Sequence, residues 1–254
     1  MGYSPRPLPQ FASEHPTMTR VLSFIKESVA SLGVVNGLLL AVARAFDQAT
    51  GGRCRLFKYY FVAQPVPTAP DVHFAGSAKT RIFMASPGEG IIKRLPRPPE
   101  VIARRFAEGS VCFIAARDET LVGFVWIKRE SYREDEVRCH YVLQPAAQLA
   151  WDFDAYVDPQ FRMTRAFAQL WEAANASLRE QGCQWSISRI SAFNAASLAA
   201  HRRLGTVHLH TGIFLVAGPV QLAAFSCHPY LHLGWRPGGY PTLVLRPPAA
   251  RAIG

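Results

Sequence analysis

The stretch from Ala150 to Gly205 constrains this chain most, because its periodicity changes from strand to helix and back with a marked boundary at each change. Ala150–Val157 (AWDFDAYV) reads as a strand, and Pro159 ends it. Ala166, Phe167, Leu170, Trp171, Ala174 and Leu178 then recur at three- and four-residue steps. That spacing predicts a helix from about Met163 to Gln181, with Gly182 in the helix-ending position. Gln184–Ile190 reads as the next strand, and Asn194 opens a second helix that stops before Gly205.

The flanks extend the pattern. Residues 1–17 are Pro-rich and read as a loose arm, and 18–52 as a helical extension closed by Gly51-Gly52. Arg55–Gln64 is a strand stopped by Pro65 and Pro67. Thr80–Met84 is a short strand, and Pro98–Glu108 a short helix with Pro at its start. Val111–Arg117 and Leu121–Arg129 form a hairpin around Asp118-Glu119-Thr120. Val207–Val216 and Thr242–Leu245 are later strands. The order is that of a mixed α/β domain at 53–220, completed by a strand and tail at 221–254; it is not doubly wound.

Composition narrows the function classes. With 49% hydrophobic and 18% charged residues the chain is globular, not disordered. A net charge of +10 favours an acidic partner: nucleic acid, anionic lipid, a nucleotide-bearing cofactor such as coenzyme A, or an acidic carrier protein. The basic residues are dispersed and no nucleic-acid-binding motif is present, which argues against the first. Five scattered cysteines without a CxxC pair suit reduced thiols in the cytoplasm. His208, His210, Cys227, His228 and His232 show no metal-ligand spacing, so no metal is expected. The N-terminus has no apolar core like that of a signal peptide. The longest apolar run, Leu32–Val42, is too short to span a bilayer. Its apolar residues surround the second half of the helical extension, so packing is expected. The alternative is peripheral contact with the inner membrane, using Arg20, Lys26 and Arg44.

Two segments carry chemistry. In Tyr156–Phe167 a strand feeds a helix start with Arg162 and Arg165 beside it. Unpaired N–H groups, the helix dipole and two guanidinium groups together suit a pyrophosphate. In Phe193–Gly205, Asn194 is the cap, Ser197 lies one turn in and His201 on the next.

In this order and after a hairpin, these segments resemble the GNAT superfamily of N-acyltransferases. The family's late helix places Asn, a small residue three on, Tyr seven on and Gly eleven on; here stand Asn194, Ser197, His201 and Gly205. Its earlier signature, Val-x-Pro and then Arg/Gln-x-x-Gly-x-Gly/Ala, is met by Val157, Pro159 and Arg162. Arg165 and Phe167 occupy the small-residue positions, so the pyrophosphate loop is degenerate.

The resemblance implies a mixed, mostly antiparallel twisted sheet flanked by helices. It implies an acyl thioester donor, acyl-CoA or acyl carrier protein, and a small-molecule amine as acceptor. Val157, Arg162, Met163, Thr164, Arg165, Ala166, Phe167, Asn194 and Ser197 would hold the donor. A backbone N–H of the Ala150–Val157 strand would bind the thioester oxygen. Asp152 and Asp154 alternate opposite Trp151 and Phe153 and are candidate general bases. His201 would be the general acid in place of Tyr. Two alternatives stand: a long-chain N-acyl amino acid synthase using acyl carrier protein, and a non-catalytic acyl-CoA-binding module.

Overall fold

The computed structural model describes residues 18–70, 80–162, 164–235 and 238–248. The arm expected at 1–17, and Met163, lie outside the described residues. The chain divides into two compact units built from interleaved segments.

One unit comprises residues up to Val62, Arg133–Tyr141 and Arg189–Leu243. It opens with helices α1 (Met18–Leu32) and α2 (Val34–Ala49). The expected helical extension is two helices, broken at Gly33, where φ is +79°. A β-carbon on Gly37 of α2 would lie 2.7 Å from the Val29 backbone of α1, so the helices cross where the side chain is absent. Asn36, the polar interruption in the apolar run, ties α2 to strand β1 (Cys54–Pro65). It donates to the Tyr60 hydroxyl at 2.9 Å and accepts from Lys58 Nζ at 2.8 Å. Val34, Val35, Leu38 and Val42 stay exposed. None of the described helices is long and apolar enough to cross a membrane.

The same unit holds an antiparallel meander that sequence patterning resolved only in its first strand, β9 (Val207–Ala217). Strands β10 (Val220–Phe225) and β11 (Leu231–Gly234) follow it. Each is short, and their alternation merges with the flanking turn residues. Tyr59, Phe61, Tyr141, Phe214 and Phe225 form the aromatic core, with Phe214 against Tyr59 and Phe225, and Phe61 edge-on to Tyr141.

The other unit comprises Ala63–Tyr132, Val142–Ser188 and Val244 onward. It contains β2 (Arg81–Ala85), α3 (Pro99–Ala107), β3 (Val111–Arg117), β4 (Thr120–Lys128), β7 (Leu149–Val157), α4 (Ala166–Glu180) and most of β8 (Trp185–Ser191). Three further short strands complete the numbering: β5 (Ser131–Arg133), β6 (His140–Leu143) and β12 (Thr242–Leu245), the first two unforeseen in the sequence. The strand order β8-β7-β4-β3-β2 is antiparallel except for the β7–β8 pair. This is a mixed α/β fold with a mostly antiparallel sheet flanked by helices, as expected. The core sets Cys112, Ile114 and Ala116 of β3 and Phe124 and Trp126 of β4 against Ile102 of α3. Burial raises the Cys112 thiol pKa, helped by the Asp154 charge, so this cysteine packs as a small apolar group. The β3–β4 loop is two residues, Asp118-Glu119, one shorter than expected, with Asp118 at φ +51°.

Helix α4, expected from about Met163, starts at Ala166 among the described residues. Pro159–Phe161 first takes a tight 3-10 turn, in which the Asp158 carboxylate accepts from the Gln160 N–H at 3.1 Å.

Candidate functional site

Strand β7 keeps its parallel register with β8 only where Leu149, Ala150 and Trp151 face Trp185, Ser186 and Ile187. The β7–β8 register comprises these three pairs. On its other side β7 pairs with β4, with one irregularity. Trp126 faces Phe153 and Phe124 faces Tyr156, so β7 carries one residue more than β4 between those pairs. That is a β-bulge, and Asp154 within it has φ +51°. Opposite the end of β7, Gly123 meets Val157 so closely that a β-carbon would lie 2.5 Å from the Tyr156 carbonyl oxygen.

The bulge overturns the expected alternation of Asp152 and Asp154. Asp152 is buried and accepts a hydrogen bond from Ser186 Oγ at 2.6 Å. Asp154 is drawn into an arginine clamp. Arg97 Nε and Arg105 Nη1 each donate to its Oδ2 at 2.6 Å, and Arg97 Nη2 pairs with Oδ1. The Arg105 guanidinium lies over the Phe153 and Trp126 rings, at 5.0 and 5.4 Å, so Asp154 shares the side of Phe153 that the alternation assigned it away from. Arg97, Arg105 and Ser186 went unnoticed in the sequence. Arg105 lies 49 positions from Asp154, and an arginine in the last turn of a helix has no local mark of such a partner.

Beyond β7, Arg162 is exposed and its Nε donates to the Val157 carbonyl at 3.4 Å. Thr164 Oγ1 donates to the Phe161 carbonyl at 2.7 Å and accepts from the Ala166 N–H at 3.2 Å. Arg165, the N-cap of α4, provides no side-chain cap. Ala166 is buried, and Phe167 takes its ring toward Trp171, one turn on. The α4 start thus gathers Val157, Arg162, Thr164, Arg165, Ala166 and Phe167 in one unit.

Asn194, Ser197 and His201 lie in the other unit, on α5 (Ala195–Arg203). The Asn194 side chain accepts from the Ser197 N–H at 3.0 Å, the cap its position predicts. His201 is buried, with Nδ1 2.9 Å from the Ser197 carbonyl oxygen. A carbonyl only accepts, so Nδ1 carries a proton and donates to it.

A second ionic cluster, also unforeseen, sits in this unit. Arg189 pairs with Glu134 at 2.8 Å and Glu136 at 2.7 Å and lies over the Tyr59 ring; Tyr59 donates to Glu136 at 2.8 Å. Burial pushes the Glu134 carboxyl up, but Arg189 and backbone hydrogen bonds outweigh it and hold the pKa below the usual carboxylate range. Among the described residues no group of three His, Cys, Asp or Glu could hold a metal ion. His208 instead lies against Thr211 and Tyr60.

Residues 83–206 match the acetyltransferase (GNAT) family. No curated protein matches the chain. Solved structures resemble it at low identity. A GNAT-family protein from Novosphingobium aromaticivorans is 14% identical, with 65% of each chain covered and a TM-score of 0.46. A tandem GNAT protein from the clavulanic acid biosynthesis pathway is 17% identical over 69% of this chain and 58% of its own, with a TM-score of 0.46. An aminoglycoside acetyltransferase from an uncultured soil metagenomic sample is 14% identical over 50% of this chain and 88% of its own, with a TM-score of 0.38. The family match spans the β3–β4 hairpin, the bulged β7, the α4 start and the Asn194-capped helix, and it supports membership of the GNAT superfamily.

Proposed function

We propose that the chain transfers an acyl group from acyl-CoA to a primary amine of a small molecule by direct attack. The observation that carries this reading is the bulge of β7 leading directly into the α4 start, within the family match. A bulge turns backbone N–H groups out of the ladder, and such a donor suits the thioester carbonyl oxygen as negative charge develops on it. The α4 N-terminus, with Arg162 and Arg165, suits the pyrophosphate. Phe167 turns toward Trp171, which supports close approach of the backbone despite the missing glycines.

In this reaction the amine nitrogen bonds to the carbonyl carbon, the C–S bond breaks, and coenzyme A leaves as thiolate. Both oxygens of Asp154 face guanidinium groups, so Asp154 is assigned to positioning the bulge. Asp152, whose carboxylate accepts from the Ser186 hydroxyl, is the assigned base for the ammonium proton. His201 occupies the family position of the residue that protonates the thiolate. With Nδ1 bonded to Ser197, that donation comes from Nε2 of the imidazolium form.

Thiol release, followed with a panel of amines and acyl-CoA donors, tests the reading. Amine-dependent release is expected. A protein stabilised by coenzyme A that turns over none of the amines is an acyl-CoA-binding module instead. Transfer from acyl carrier protein is the second reading, favoured by the +10 net charge and by Arg165 where the family has glycine. It requires heat-stabilisation by the acylated carrier and none by coenzyme A.

A further inference from the structure

We infer that α2 docks on an anionic lipid surface through the apolar side it turns outward. The helix runs against the ordinary pattern, in which a surface helix keeps its charged side in water. Val35, Leu38, Val42, Ala45, Phe46 and Ala49 follow one another at three- and four-residue spacings, so they share one side of α2, and all are exposed. Val35, Leu38, Val42 and Phe46 are 65%, 49%, 43% and 40% exposed. No charged residue falls within that stripe.

The polar residues of the same helix turn the other way. Asn36 reaches Tyr60 and Lys58 on β1, and the Arg44 guanidinium lies over the Phe24 ring of α1 at 4.1 Å. Gly37 lies against the Val29 backbone, which fixes the side that faces α1. The outward side therefore follows from how α2 packs, and its 16 residues make a stripe about 24 Å long.

Charge selects the occupant. From Met18 to Arg55 stand five cations, Arg20, Lys26, Arg44, Arg53 and Arg55, against two carboxylates, Glu27 and Asp47. The surplus of three positive charges would meet itself in a second copy, whereas each cation near an anionic bilayer adds attraction. Lys26 and Arg53 are exposed. A protein partner is held by about one hydrogen bond per 100–200 Å² of interface, and the side chains of the stripe offer none. Lipid asks for none, because the N–H and C=O groups of a helix are bonded within it. An apolar helix side with cations around it is the combination that lies in a bilayer interface.

Co-sedimentation of the full chain with phosphatidylcholine vesicles, with and without phosphatidylglycerol, tests the proposal. Binding is expected with phosphatidylglycerol, and about 10-fold weaker binding without it. The triple variant Val35→Gln, Leu38→Gln, Val42→Gln keeps helix-forming residues at exposed positions. It is expected to show the circular dichroism of the parent and at least about 10-fold weaker vesicle binding. A parent that stays in the supernatant with phosphatidylglycerol vesicles overturns the proposal. So does equal binding to both kinds of vesicle, or a triple variant that binds as the parent does. Self-association of the parent without vesicles, lost in the variant, overturns it in favour of a second copy. Should the triple variant not fold, Phe46→Trp decides. Lipids brominated in their acyl chains are expected to quench its fluorescence beyond that of the parent, and quenching equal to the parent's overturns the docking.

Discussion

The Arg105 guanidinium, held over Phe153 and Trp126, donates to Asp154 at the one point where β7 leaves its regular register. A non-glycine residue at positive φ carries a backbone cost, and it persists where surrounding groups over-determine it. The Asp154 side chain is 14% exposed and those of Arg97 and Arg105 are 10% and 6%, so the ion pairs are only weakly screened by water.

Asp154→Asn keeps the size and the tolerance of positive φ but removes the charge. It is expected to cost about 3 kcal/mol of stability, since two mostly buried guanidinium groups lose their counter-ion. In thiol-release kinetics kcat is expected to fall about 10-fold while the donor KM stays near the parent value. A parental kcat in a folded variant would show that the bulge does not position the thioester.

Gly123→Ala tests the close approach at the other end of the bulge. The new methyl has no room beside the Tyr156 carbonyl oxygen, so β7 must shift near Val157, where the chain turns toward α4. Destabilisation of about 2 kcal/mol is expected from overpacking, with weaker coenzyme A binding by calorimetry. Unchanged donor affinity would detach the α4 start from the β4–β7 contact.

His201→Phe is expected to lower kcat about 100-fold and to leave donor affinity unchanged. A folded variant with the parent's kcat would remove His201 from proton donation.

The Glu134–Arg189 pair sets an acid limit on stability. With its folded-state pKa depressed, Glu134 stabilises the fold fully above its unfolded pKa of about 4.3. That contribution disappears as pH falls through the lower folded value. Glu134→Gln is therefore expected to be less stable than the parent by about 3 kcal/mol near neutrality, with the gap closing below about pH 4. Urea melts across that range measure it; a gap independent of pH would exclude the charge as its cause.

Local signals were strong where one element carried its own evidence. The period of Ala166 to Leu178 announced α4, and the Asn194 cap announced α5, since helix faces and caps depend on neighbours three or four residues away. The two strands after Pro219, β10 and β11, escaped notice because they have little beyond their mutual pairing to distinguish them. His201 was legible as a position in a family pattern, but its burial and its bond to Ser197 were not.

By itself, then, the sequence determined the order of elements from β7 to α5, the capped helix at Asn194 and the turn from β7 into α4. All of these are written in contiguous residues. Only the tertiary structure decided what the two aspartates of β7 do. One extra residue in β7 put Asp154 between Arg97 and Arg105, and packing of β8 gave Asp152 to Ser186. Bulges and long-range ion pairs depend on which backbones lie side by side, and alternation along a single strand holds no record of that.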